Sequence, residues 1–221
     1  PDRVAVYSYA HLPQQFKGQK LINLFDLPAA EEKLELLELA VEKLTDAGYR
    51  YIGMDHFALP DDELSQALDE SSLQRNFQGY STRAGCDMIG LGMSAISSVG
   101  DVYAQNAKTL PVYIQHIEAG EFATVRGLRL TEEEGIRRDI IQQLMCGGKI
   151  DMEAFGRDHG INFEQYFEHD LGRLRRYIDR GFVELDDHMM QVTEIGRYML
   201  RPMAMAFDPY VNQSSLKARY S

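Results

Sequence analysis

Cysteine is scarce in this 221-residue chain: Cys86 and Cys146 are the only two, sixty residues apart. That count excludes a disulfide framework and a thiolate metal site built by this chain alone, so both are expected to be plain thiols. Basic residues are also outnumbered, with 23 Lys and Arg against 34 Asp and Glu and a formal net charge of -11. A general nucleic-acid surface needs clustered cations to neutralise phosphates, and an anionic membrane surface needs the same, so neither partner is expected. No run of about 18 apolar residues is present, which excludes an ordinary spanning helix. The N-terminus lacks the basic-then-apolar order of a secretory signal, and a cytoplasmic location is expected. No phosphate loop and no nucleophile with its base occurs at a recognisable spacing. The chain opens Pro1-Asp2-Arg3-Val4, without an initiator Met, and is expected to be a piece of a longer protein.

What is there is a dense block of polar, aromatic and glycine residues. Arg75-Asn76-Phe77-Gln78-Gly79-Tyr80 is followed by Leu91-Gly92-Met93-Ser94-Ala95-Ile96-Ser97 and by Tyr103-Ala104-Gln105-Asn106. A packed core does not need this mixture, whereas one wall of a small-molecule site does. With 44% hydrophobic residues, the rest of the chain has enough apolar surface for a real core.

Along the chain, Arg3 to Tyr9 alternates like a strand, and Pro28 starts a helix whose Leu34, Leu37, Val41 and Leu44 follow the 3.6-residue repeat, with Gly48 at its end. A second strand, Tyr49 to Met54, leads into Asp55-His56. Strand, helix, strand in this order predicts a parallel sheet. Pro60 to Glu70 reads as a short helix, Met88 to Ser97 as a third parallel strand carrying Gly90 and Gly92, and Pro111 to Ala119 as a helix stopped by Gly120. At Thr131 the texture changes, and a domain boundary is expected near residue 125. Thr131 and Glu134 form a capping box, Ile136, Ile140, Ile141 and Leu144 supply a helical stripe, and Phe163, Phe167, Leu171, Leu174 and Ile178 supply another that stops at Gly181. Residues 182 to 192 read as a small hairpin before a last helix. Three helices and a hairpin resemble a winged helix. The predicted architecture is therefore α/β: the last strands of an incomplete parallel, TIM-like β/α barrel over 1–125, then a helical domain with a small hairpin over 126–221.

Several groups are candidates for chemistry. Asp55-His56 and His11 fall at predicted strand ends, where parallel α/β folds collect functional groups, although both read equally well as partners of loop backbone. Gly90 and Gly92 stop short of the dinucleotide fingerprint, since position 95 is Ala. Their use is to let strand backbone at Ser94 to Ser97 lie against a flat ligand, or simply to pack. Arg173, Arg175 and Arg176 sit where a winged-helix regulator would read DNA. Residues 131 to 221 nevertheless hold 12 Lys and Arg against 16 Asp and Glu, the balance of a solvated surface. Met199, Met203 and Met205 read as core or a docking face, with contact to a porphyrin-like ligand as the alternative.

Taken together, Tyr-Ile-Gly-Met-Asp-His-Phe-Ala at 51–58, Pro-Asp-Asp-Glu-Leu at 60–64, Arg-Asn-Phe-Gln-Gly-Tyr at 75–80, Ser-Ala-Ile-Ser at 94–97 and Tyr-Ala-Gln-Asn at 103–106 resemble the oxygen-independent coproporphyrinogen III oxidases. The similarity runs over the whole chain and covers about the C-terminal half of such an enzyme. The resemblance implies a radical S-adenosylmethionine oxidoreductase of haem biosynthesis that decarboxylates coproporphyrinogen III to protoporphyrinogen IX. It implies a 4Fe-4S cluster held by a three-cysteine motif in the missing N-terminal half, not by this chain, so the piece alone is expected to be inactive. It also implies two S-adenosyl-L-methionine sites, with matching contacts at Ala10, Ile96, Phe77 and Gln78, and a monomer as the full-length enzyme. Catalytic residues and metal ligands are not assigned to this chain. Ser81, where Thr is usual, is a conservative departure. A radical haem-chaperone paralogue is the rival, and the Asn-Phe-Gln-Gly-Tyr block favours the oxidase. A winged-helix regulator would leave residues 51 to 106 without a use.

Overall fold

A computed structural model of the chain describes residues 1–211. Residues 1–71 pack as one compact unit and residues 72–208 as another.

The first unit contains β1 (Arg3–Ala5), α1 (Ala30–Asp46), β2 (Arg50–Gly53), β3 (His56–Ala58) and α2 (Glu63–Asp69). Helix α1 begins just after Pro28, with the Glu32 carboxylate accepting from the Ala29 N–H at 3.0 Å, and it ends where Gly48 turns to φ +91°, a conformation only glycine adopts without strain. The sheet order is β1-β3-β2, and both neighbours pair antiparallel with β3. Here the structure corrects the expectation of adjacent parallel strands. The second strand does not continue past Gly53. Met54 takes φ +56° and reverses the chain, so that His56–Ala58 inserts between β1 and β2. These two therefore run in the same direction without touching. The first strand is also shorter than residues 3 to 9, ending at Ala5 with one further bond from the Val6 N–H to the Asp55 carbonyl.

The second unit opens with the hairpin of β4 (Gln74–Asn76) and β5 (Gly79–Ser81). Then come β6 (Ile96–Val99), β7 (Val102–Asn106), α3 (Leu110–Glu118) and β8 (Thr124–Arg129), the three strands forming an antiparallel sheet in the order β6-β7-β8. The predicted parallel strand at 88–97 is thus a single Met88–Ser98 bridge, a loop, and the start of an antiparallel strand. Two left-handed residues, Gly92 at φ +99° and Ser94 at φ +61°, make a continuous extended run impossible.

The remaining elements are α4 (Glu132–Gly147), β9 (Lys149–Asp151), α5 (Met152–His159), α6 (Phe163–Tyr166), α7 (Glu168–Ile178), β10 (Val183–Leu185), β11 (Met189–Val192) and α8 (Leu200–Ala204). The Thr131 and Glu134 capping box forms as expected at the start of α4, where it satisfies two otherwise orphaned donors. The predicted third helix is broken at Phe167, whose φ of -101° and ψ of 16° separate α6 from α7. Strand β11 lies between β10 and β9. The core of this unit gathers Ile140, Leu144, Phe155, Phe167, Leu174, Met190, Met203 and Phe207, all nearly inaccessible. Of the methionines singled out in the sequence, Met203 is core, whereas Met205 stays exposed. Residue 125, the expected domain boundary, lies on β8.

Candidate functional site

In the first unit, chain leaving β1 passes a cavity of about 270 Å³. Tyr7, Tyr9, His11, Leu27, Lys33 and Leu36 are among the residues that line it. The Tyr9 hydroxyl lies 3.2 Å from His11 Nδ1. Ala10, between them, is exposed, and its carbonyl accepts from Gln19 Nε2 at 3.1 Å while the Gln19 Oε1 takes the Leu12 N–H. Gln19 thus holds residues 10 to 12 from both ends of its amide, leaving the second lone pair of the Ala10 carbonyl for another donor. Asp55 and His56 form a close pair, Oδ1 to Nδ1 2.7 Å, and His56 meets the edge of Tyr7 with ring centroids 6.1 Å apart. Both side chains are largely covered, which agrees better with a structural contact than with a group presented to substrate.

In the second unit, Phe77 and Gln78 form the turn between β4 and β5. The turn is closed by the Asn76 side chain, whose Oδ1 accepts the Gln78 N–H at 2.8 Å, the local asparagine bond that favours tight turns. Both residues at the turn are exposed; 57% of the Phe77 surface is open. Its ring is oriented by Tyr103 on β7, edge to face at 5.3 Å and 86°. Ile96 begins β6 opposite Gln105. The 88–95 loop is strapped to this sheet: Asn106 Nδ2 donates to the Gly90 and Gly92 carbonyls at 3.2 and 3.0 Å, the Gly90 N–H donates to Ser97 Oγ at 2.9 Å, and the Gly92 N–H donates to the Tyr113 hydroxyl at 3.2 Å. A Cβ on residue 90 would lie 2.9 Å from the Ile96 carbonyl oxygen, so Gly90 is required by the close approach of loop and strand. Phe77, Gln78 and Ile96 therefore share this unit's polar and aromatic surface, while Ala10 belongs to the first unit.

Asn106 and Tyr103 lie inside a block that the sequence marks, but the strapping and ring-orienting roles emerge only from the fold. Gln142 carried no sequence signal at all. On α4, it donates through Nε2 to the Arg75 carbonyl and, at 3.3 Å, to Gln74. The Arg173, Arg175 and Arg176 cluster is committed elsewhere. Arg173 bonds the Ala206 carbonyl and Asp170, Arg175 faces Asp179, and Arg176 lies over the Tyr177 ring.

No group of three or more His, Cys, Asp or Glu side chains that could hold a metal ion occurs among the described residues. Cys86 is exposed and Cys146 buried, and burial pushes the Cys146 thiol up to about 12 against the opposing pull of Arg75. No helix among the described residues is long and apolar enough to cross a membrane.

Residues 130–199, which run from the end of β8 through the helices to the turn after β11, match the HemN C-terminal domain family. Over nearly its whole length the chain is also similar to curated oxygen-independent coproporphyrinogen III oxidases. It is 46% identical to that of Pseudomonas aeruginosa over 96% of this chain and 46% of the relative, and 44% identical to that of Salmonella typhimurium over 100% and 48%. The corresponding protein of Thermostichus vulcanus is 41% identical, over 97% of this chain and 66% of the relative. The solved coproporphyrinogen III oxidase HemN of Escherichia coli, a radical SAM enzyme, superimposes with a TM-score of 0.89 at 44% identity, over 95% of this chain and 48% of that one. The chain is a relative of these oxidases, and it shares their mixed α/β fold. It spans about half the length of the first two relatives.

Proposed function

We propose that the chain is the C-terminal portion of an oxygen-independent coproporphyrinogen III oxidase, contributing S-adenosylmethionine contacts and substrate cover to a complete enzyme located in the cytoplasm. The observation that carries this reading is the exposed Phe77–Gln78 turn, held rigidly by Asn76 and Tyr103, in a chain 44% identical to a radical SAM enzyme over nearly its full length. Reductive cleavage of S-adenosylmethionine at a 4Fe-4S cluster would supply the radical that begins decarboxylation of the coproporphyrinogen III propionates. The two cysteines of this chain are too few for the three-cysteine motif, so such a cluster would be held by residues outside this chain.

The chain's own residues fit the nucleotide. Phe77 offers an open apolar face and Gln78 an exposed amide with both donors and acceptor. Ile96 offers an apolar side chain beside strand backbone, and Ala10 offers a carbonyl in the segment that follows β1. These four positions are proposed to face two S-adenosylmethionine molecules, Phe77 and Gln78 serving the second. Their task is to bind and orient, since none of them titrates near neutral pH.

The same reading extends to architecture. Residues 1–125 are proposed as the last part of a radical SAM β/α barrel, which the shared direction of β1 and β2 supports. Residues 126–221 are proposed as a helical C-terminal domain of winged-helix-like order, supported by the succession α4, β9, α5, α7, β10, β11; its last ten residues lie outside those described. The full-length protein is proposed to act as a monomer, without a nucleic-acid or membrane partner.

The test is saturation-transfer NMR of this chain with S-adenosylmethionine, together with a turnover assay. Saturable transfer to the adenine protons, weakened by Phe77→Ala and Gln78→Ala, is expected, with no conversion of coproporphyrinogen III by the chain alone. Turnover by the isolated chain, or adenine signals indifferent to both substitutions, would overturn the proposal.

A further inference from the structure

Helix α4 holds the Phe77–Gln78 turn and the strand next to Ile96 at once. Four residues apart on a helix, Arg138 and Gln142 lie on one face. Gln142 bonds the Arg75 carbonyl on β4, and the Tyr80 hydroxyl on β5 donates to the Met145 carbonyl at 3.0 Å. Both strands of the hairpin are thereby tied to α4. Arg138 engages the Tyr103 phenol, pairs with Asp139 at 3.1 Å and reaches the Gly100 carbonyl at 3.5 Å. Its pKa is raised even though burial opposes its charge, because the bonds to Asp139 and then Tyr103 outweigh that cost.

Tyr103 closes the circuit by meeting the Phe77 ring at 5.3 Å. A ring of contacts therefore runs from Phe77 to Tyr103, to Arg138, one turn along α4 to Gln142, to Arg75 and, two residues on, back to Phe77. Ile96 sits on β6, hydrogen-bonded to the strand that carries Tyr103. We infer that Arg138 and Gln142 are positioning residues that set, from α4, the separation between the Phe77–Gln78 turn and the Ile96 strand. This inference rests on the proposal that those residues face S-adenosylmethionine. Geometry of this kind matters because a contact displaced by about an ångström loses much of its worth in a binding site.

Gln142→Glu keeps the shape of the side chain but removes the donor, and Arg138→Gln removes the charge and the fork. Each is expected to speed amide hydrogen exchange at residues 76–79 by up to about tenfold, the scale of one lost hydrogen bond. Each should also weaken the S-adenosylmethionine saturation-transfer response several-fold, while exchange in α5 and α7 stays unchanged. Arg138→Lys, which retains a cation within reach of Tyr103, is expected to restore part of the response. Unchanged exchange at 76–79 overturns the inference, and so does faster exchange with full binding. Absence of binding by the unaltered chain overturns the cofactor reading instead, and exchange alone then decides whether α4 holds the turn.

Discussion

Arg137 and Asp170 form an ion pair inside the helical part of the chain, Nη1 to Oδ2 at 3.0 Å, with only 14% and 4% of their side-chain surfaces exposed. The same guanidinium donates to the Phe207 carbonyl at 3.0 Å and to Glu133 at 3.0 Å, and Arg173 bonds Asp170 and the Ala206 carbonyl. Asp170 and the two arginines thus join α4, α7 and the turn after α8. Asp170→Ala leaves two cations facing a buried gap, which is expected to cost about 3–5 kcal/mol. Urea denaturation followed by circular dichroism would measure it; a loss below about 1 kcal/mol would show the pair to be dispensable.

The two cysteines should differ sharply in reactivity. The thiolate is the nucleophile, Cys86 is exposed, and Cys146 is buried with its pKa pushed up to about 12. Iodoacetamide at pH 8 is expected to add one label quickly, at Cys86, and a second only after denaturation. Peptide mass mapping would identify the labelled residue.

Acid should weaken the first unit through two carboxylates. Asp69 accepts two bonds from Arg50 at 2.6 Å each, and these hold its carboxyl below the usual range. Asp62 is also lowered: burial pushes it up, but the bonds from Arg3 and from the Leu64 N–H prevail. A depressed folded-state pKa contributes stability above the unfolded value, near 4, that is lost as pH falls through the folded value. Stability is therefore expected to fall as pH drops below about 4, and the fall should be shallower in Asp62→Asn. Denaturation midpoints between pH 2.5 and 6 would show an unchanged slope if the pair contributes nothing.

Gly90→Ala introduces a Cβ against the Ile96 carbonyl. The 88–95 loop then has to move, because backbone rather than a flexible side-chain end stands in the way. The expected result is faster hydrogen exchange at residues 90–97 and a weaker response to S-adenosylmethionine, with the α4–α7 region unaffected. Gly18→Ala, where no atom lies within 4 Å of the added carbon, is the control.

Helices were the readable part of this sequence. Thr131 with Glu134, Gly48 after α1 and Gly120 after α3 are local signals, and the structure places a boundary at each. Sheet pairing was not readable in the same way. The sequence order strand, helix, strand predicts neighbouring parallel strands, but a reversal at Met54 puts β3 between them. The run through Gly90 and Gly92 looks extended, yet Gly92 and Ser94 turn it into a loop. Backbone sign at a single residue decides such outcomes, and composition only hints at it.

By itself, then, the sequence determined what this chain is related to, the ends of α1 and α3 and the start of α4, and that the block from 75 to 106 is unlike core, since these rest on residue identity and short spacings. The tertiary structure alone decided that Tyr103 orients Phe77, that Asn106 straps the glycine loop and that Gln142 grips the hairpin from 67 residues away. Those pairings join segments whose separation along the chain carries no periodic signal, so only tertiary packing brings them together.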